Sequence, residues 1–111
     1  MDNSSEAIVV LMTAASRDEA SRIAETLVSA RLAACVQILP EIESVYRWQG
    51  EVQREKEILI LAKTVASLFA ELESKVRAMH SYETPEIIAV SVTDSSAPYL
   101  RWLIAEVKEN S

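Results

Sequence analysis

Hydrophobic positions along this chain follow two periods that alternate. Ala7-Ile8-Val9-Val10-Leu11-Met12 is a continuous apolar run with β-branched residues, the pattern of a strand flanked on both edges and covered on at least one face. From Ser16 the period becomes helical: Ala20, Ile23, Ala24, Leu27 and Val28 fall on one stripe. Ser16 and Glu19 have the S-x-x-E spacing of a capping box, in which each side chain satisfies a backbone N–H of the first turn. After Arg31 the strand pattern returns, from Ala33 through Cys35, Val36, Ile38 and Leu39. Pro40 has no N–H for a ladder and predicts a bulge or an edge position. The strand resumes over residues 44–48, turns at Gln49-Gly50, and comes back over residues 51–64 with its apolar centre at residues 58–62. Val65, Leu68, Phe69, Leu72, Val76 and Met79 stripe a second helix, and Pro85 disfavours helix at the residue before it. Residues 87–92 read as a fourth strand. Asp94-Ser95-Ser96 offers a cap, Pro98 suits a first helical turn, and Tyr99, Leu100, Leu103, Ile104 and Val107 stripe a third helix.

The order β-α-β-β-α-β-α predicts an α+β fold of the split βαββαβ, ferredoxin-like type, with strand order 4-1-3-2, helices on one face and a helix added at the C-terminus. Residues 7–111 are expected to form a single domain, after a disordered tail at residues 1–6. The two middle strands, residues 33–48 and 51–64, are far longer than the typical ~5–6 residues. Two helices of modest length do not cover such a ribbon. Its far half carries Val45, Tyr46, Trp48 and Val52 among charges, and an isolated two-stranded ribbon is marginal in water. The expectation is that a second copy of the chain covers it.

Composition narrows the function. With 11 Lys and Arg against 17 Asp and Glu the formal charge is −6, and no stretch gathers cations into a patch. Nucleic acid and anionic membranes are therefore not expected partners. No apolar run approaches the roughly 18–20 residues that cross a bilayer. The acidic N-terminus lacks the cationic and apolar segments of a signal peptide. The one cysteine, Cys35, forms no internal disulfide, which points to a reducing compartment and a cytoplasmic location. A single glycine excludes phosphate cradles built on Gly-rich loops.

Several stretches resemble the CutA family, the divalent-cation tolerance proteins: Leu11-Met12-Thr13-Ala14, Arg31-Leu32-Ala33-Ala34-Cys35-Val36, Tyr46-Arg47-Trp48-Gln49-Gly50, Lys63-Thr64, His80-Ser81-Tyr82-Glu83-Thr84-Pro85-Glu86 and Tyr99-Leu100-Arg101-Trp102-Leu103. Together they run through nearly the whole chain. Glu41 stands where the family often has Gly after the proline, which is expected to alter the mid-strand kink. Ser81 stands where it often has Pro after the histidine, which is expected to loosen the His80 loop. The resemblance implies a PII-like homotrimer in the cytoplasm, associated with metal tolerance and copper binding.

The chemistry-bearing residues are few. Cys35 and His80 are the strong soft-metal ligands, and thiolate with imidazole suits Cu2+ or another divalent cation. Each also has a structural reading: Cys35 as a small hydrophobe in a strand, His80 as a partner of free carbonyls at a helix C-terminus. The predicted topology puts them at opposite ends of the sheet, so a shared site requires two subunits. Glu83 and Glu86 are candidate oxygen ligands beside His80, or solvated carboxylates. Val45, Tyr46, Trp48 and Val52 read as interface anchors. Lys63 and Tyr82 are candidates for a cleft, with Lys63 otherwise reaching solvent over a buried stem. Trp102 reads as packing of the last helix. No third group orients a Cys/His pair, and an enzyme is not expected. The rival to metal binding is a PII-like signalling or interaction module that takes a small ligand or a partner protein in intersubunit clefts.

Overall fold

The computed structural model describes residues 6–109. In chain order the elements are β1 (Ala7–Ala14), α1 (Arg17–Ser29), β2 (Cys35–Trp48), β3 (Glu51–Val65), α2 (Phe69–Met79), β4 (Ile87–Ser91) and α3 (Ala97–Glu106), with a 3-10 turn at Ala66–Leu68 leading into α2. The four strands form one antiparallel sheet in the order β2-β3-β1-β4, the ferredoxin-like arrangement that the element order predicts. Of the expected N-terminal tail, residues 1–5 lie outside the described residues. At its edge the Glu6 carbonyl accepts the Ala66 N–H at 2.8 Å.

Strand alternation sorts the sheet into two faces. Val10, Met12, Ala14, Ile60 and Ala62 turn toward α1 and α2 and are buried in one cluster with Ile23, Leu27, Leu68, Leu72 and Val76. Thr64 on that face is fully buried and donates its hydroxyl to the Leu32 carbonyl at 2.7 Å. The opposite face has no helix over its centre. Val9 and Leu11 of β1, Leu59 and Leu61 of β3 and Ile88 and Val90 of β4 stand side by side there. The β1 and β3 residues are half-buried, and Ile88 and Val90 are 53% and 52% exposed.

Beyond this sandwich β2 and β3 continue as a bare ribbon, which stretches the molecule to 44 × 26 × 24 Å. Between Leu39↔Leu59 and Ile42↔Glu57 the register shifts by one residue, so the bulge falls at Pro40-Glu41, where the missing proline N–H leaves the ladder open. An inserted residue moves every later side chain to the other face. Tyr46 and Trp48 consequently share the helix-free face with Cys35 and Leu39, and Val45 and Val52 lie on the other side of the ribbon. The turn uses φ +51° at Gln49 and +82° at Gly50, the double left-handed geometry of a tight two-residue hairpin.

Helix ends follow local chemistry. Ser16 caps α1 through its hydroxyl, which accepts the Glu19 N–H at 3.1 Å. The reciprocal half of the capping box is not made, because the Glu19 carboxylate is turned toward Ala15 and Ser81. At its other end α1 closes with Arg31 N–H on the Val28 carbonyl and Leu32 N–H on the Leu27 carbonyl. That double bond pattern needs a left-handed residue, normally glycine, and here Arg31 occupies it at φ +59°. Ser96 stands at the N-cap of α3 without a side-chain cap bond, so the expected cap is positional only.

Candidate functional site

The β1 carbonyl end of the sheet, the start of α1, the middle of β3 and the loop after α2 converge on one polar cluster. His80, the residue that ends α2, is brought back over the sheet with its side chain fully enclosed. Its Nε2 lies 2.8 Å from the Thr13 carbonyl, and its Nδ1 accepts the Tyr82 N–H at 3.0 Å. One ring nitrogen thus faces a backbone acceptor and the other a backbone donor, and Glu19 Oε2 lies 3.7 Å from Nδ1. The Glu19 carboxylate, 5% exposed, takes three hydrogen bonds: from Ala15 N–H (3.2 Å), Ser81 N–H (2.7 Å) and the Ser81 hydroxyl (3.0 Å). Burial pushes this carboxyl up, but the Ser81 and Ala15 donors together with nearby His80 outweigh it and hold Glu19 below its ordinary value. Ser81, expected to loosen the loop, adds two hydrogen bonds to it. A proline there has neither an N–H nor a hydroxyl, and this serine uses both.

From Ser81 the loop turns Tyr82 onto β3, where its hydroxyl donates to Glu57 Oε2 at 2.8 Å. Burial, that hydrogen bond and the neighbouring carboxylates of Glu57, Glu55 and Glu19 all raise the phenol far above its ordinary value. On the ribbon, Tyr46 is raised as well, first by its hydrogen bond to Glu55. Between the loop and the helix-free face of the ribbon lies an open cleft of about 700 Å³. Glu55, Glu57, Glu83 and Glu86 line it with Tyr46, Trp48 and Tyr82, and among the described residues no Lys, Arg or His does.

The residues singled out from the sequence are thus divided. Tyr82, Glu83, Glu86, Tyr46 and Trp48 meet in the cleft, with Trp48 51% exposed, and Val45, whose side chain belongs to the other face of the ribbon, only borders it. Val52, 67% exposed, belongs to the other side of the ribbon. Lys63 does not line this cleft: its ammonium lies 5.8 Å from the centre of the Tyr99 ring, at the end of the sheet where β1 begins. Cys35 pairs with Lys63 across β2 and β3, and Lys63 pairs with Val9, so Cys35 is level with the start of β1. His80 is level with Thr13 near its end, roughly 13 Å further along at ~3.3 Å per residue. Among the described residues no three His, Cys, Asp or Glu side chains converge as a metal site. Glu19, Ser81, Glu57 and Thr13 were not anticipated in these roles. Glu57, an acid abutting the apolar run at residues 58–62, carried a weak sequence signal; Glu19 was obscured by its capping spacing.

A two-layer ferredoxin-like sandwich with an overlong hairpin, and an acidic, aromatic cleft beneath the loop after its second helix, is the class of protein these features define. Residues 8–106 match the family described as CutA1 divalent ion tolerance protein, and the chain belongs to that family. The divalent-cation tolerance protein CutA of Thermus thermophilus is 47% identical over 95 residues, covering 86% of this chain and 92% of the relative. A chloroplastic CutA of Arabidopsis thaliana is 46% identical over 96 residues, and the match spans 86% of this chain but only 53% of that protein. The crystal structure of CutA1 from Oryza sativa superimposes with a TM-score of 0.93 at 39% identity, over 98% of this chain and all of that one. Neither the family's description nor its fold is that of an enzyme. No helix among the described residues is long and apolar enough to cross a membrane.

Proposed function

We propose that this chain is a non-enzymatic, cytoplasmic homotrimer that binds divalent cations, copper among them, at clefts completed between subunits. The observation that carries it is the helix-free face of the sheet. Half-buried Val9, Leu11, Leu59 and Leu61 and exposed Ile88 and Val90 run into the acidic cleft without a break, so whatever covers the apolar part also walls the cleft. Contiguous exposed apolar surface of this kind marks an interface. A second copy is the economical cover, because the ribbon projects past its own helices. Four carboxylates and no cationic side chain favour a cation in the cleft. Cys35, His80 and Glu83 are the proposed ligands; since Cys35 and His80 stand toward opposite ends of β1 within one subunit, a shared site needs two subunits. His80 binds a metal through Nδ1 only by giving up the Tyr82 N–H.

Sedimentation checks the assembly, with a mass three times that of the 12.3 kDa chain expected. Isothermal titration with copper and with zinc checks the binding. Cys35→Ser and His80→Ala are each expected to weaken copper binding, and Glu83→Gln to change it less. A monomer at micromolar concentration, or full copper affinity in all three variants, would falsify the proposal. A second reading is favoured by the aromatic walls: Tyr46, Trp48 and Tyr82 around about 700 Å³ suit a small organic ligand of a PII-like signalling module. A flat copper and zinc titration of the intact assembly turns the choice to that reading.

A further inference from the structure

We propose that Glu19 is a positioning residue for the cleft: from the first turn of α1 it clamps the start of the 80–86 loop and thereby sets where Tyr82 and Glu83 stand. The geometry is specific. Both carboxylate oxygens are engaged, Oε1 by Ala15 N–H and the Ser81 hydroxyl, Oε2 by Ser81 N–H at 2.7 Å. Ala15 is the residue that follows β1, so one side chain ties the end of a central strand to a loop more than sixty residues away in sequence. The next two links follow directly. Tyr82 N–H is held on His80 Nδ1, and the Tyr82 hydroxyl on Glu57, so fixing Ser81 fixes the ring that walls the cleft. A hydrogen bond that ends on a carboxylate is about twice as strong as a neutral one, and removing its buried acceptor leaves the donors stranded. Of these contacts only Tyr82 N–H on His80 Nδ1 would be given up to a metal, so in metal-free protein the inference is tested apart from the cation proposal.

Glu19→Gln tests it with the smallest change of shape. The amide offers one acceptor oxygen and one NH2 group. In either orientation that NH2 faces a backbone N–H, Ala15's or Ser81's, and one contact becomes donor against donor. Ser81→Ala is the milder variant: it deletes the hydroxyl bond, keeps Ser81's N–H bond, and lies at an exposed position that does not threaten folding. Amide hydrogen exchange resolved by residue is the readout. In Glu19→Gln the amides of residues 81 and 82 are expected to exchange about tenfold faster or more, with less acceleration in Ser81→Ala and none at Ala62 in the central strand β3. The Ser81 amide proton is expected to move upfield on losing its carboxylate, and the nuclear Overhauser contacts between the Tyr82 ring and Glu57 to weaken. A general loss of stability would instead speed exchange at Ala62 in step with the loop. If Glu19→Gln leaves the 81 and 82 amides and the Tyr82 contacts as in the wild type, the loop is held by His80 alone and Glu19 has no positioning role. If Ala62 accelerates equally, Glu19 serves overall stability and the proposal is likewise overturned.

Discussion

At the end of the sheet where β1 begins, a cation meets backbone carbonyls; at the other end, carboxylates meet backbone N–H groups and hydroxyls. The first end is built on Arg31. Its Nε donates to the Glu106 carbonyl at 2.9 Å and its Nη2 to those of Ala105 (2.8 Å) and Val107 (3.4 Å), which caps the last turn of α3. Lys108 returns the connection, donating its N–H to the Arg31 carbonyl and its ammonium to Glu71. The Arg31 guanidinium and the Lys108 ammonium are each answered by a neighbour in the fold. At the second end the carboxylates answer only in part to the fold. Glu19 is enclosed, Glu57 is bonded to Tyr82, and Glu55, Glu83 and Glu86 face an open cleft with no counter-cation among its lining residues. The difference separates a polar clamp, which serves stability, from a polar site, which has negative charge left to offer.

The comparison can be broken most violently through the face that joins the two ends. If the proposed trimer forms, Ile88→Glu is expected to abolish it and bring the sedimenting mass down to that of a single chain, and to remove the concentration dependence of the unfolding midpoint expected of the wild-type assembly. Arg31→Ala comes next. Losing three hydrogen bonds on helix-terminal carbonyls is expected to cost about 2 kcal/mol, seen as a lower denaturant midpoint at unchanged slope. Arg31→Gly is expected to lose less, because glycine accepts the left-handed φ of +59° without strain.

At the carboxylate end the expected effect is smaller and depends on pH. Glu19 titrates below its ordinary value of 4.5 in the folded chain, so its contribution is complete above that value and is lost as pH falls through the depressed folded value. Denaturant midpoints measured from pH 7 down to pH ~3 are expected to decline over that acid window in wild type and to flatten there in Glu19→Gln. A parallel decline in both would assign the acid sensitivity to other carboxylates. The smallest effect is expected from Lys63→Met. An ammonium 5.8 Å from the Tyr99 ring centre at a half-exposed site contributes about 0.5–1 kcal/mol, readable only as a slight midpoint shift.

Much of the fold was legible because it rests on local periodicity. The stripe from Ala20 to Val28, the run from Ala7 to Met12 and the Gln49-Gly50 turn each identify an element and its buried side without help from distant residues. Pro40 likewise marks the bulge, because a missing N–H is a property of one residue. The site was legible only in part. Tyr82, Glu83 and Trp48 were singled out by their chemistry, but the groups that arrange them were not. Glu19 has the spacing of a capping box, and nothing local distinguishes a glutamate that turns back to its own helix from one that reaches Ser81. Lys63 and Tyr82 were both cleft candidates, and only the register shows that within one chain they stand at opposite ends of the sheet.

By itself, then, the amino-acid sequence determines the order of strands and helices, the faces they bury, the overlong hairpin and a cation-poor, glycine-poor surface that excludes phosphate cradles. Those properties are sums over neighbours within a turn or a strand, where each residue's steric and solvation preferences act directly. The tertiary structure alone decides which carboxylates are enclosed and which face the cleft, that His80 spends both ring nitrogens on the backbone, and that Tyr46 and Trp48 share a face with Leu11 and Ile88. These are outcomes of register: one inserted residue at Pro40-Glu41 reverses every later side chain of β2, and contacts more than sixty residues apart close only when the whole sheet has formed.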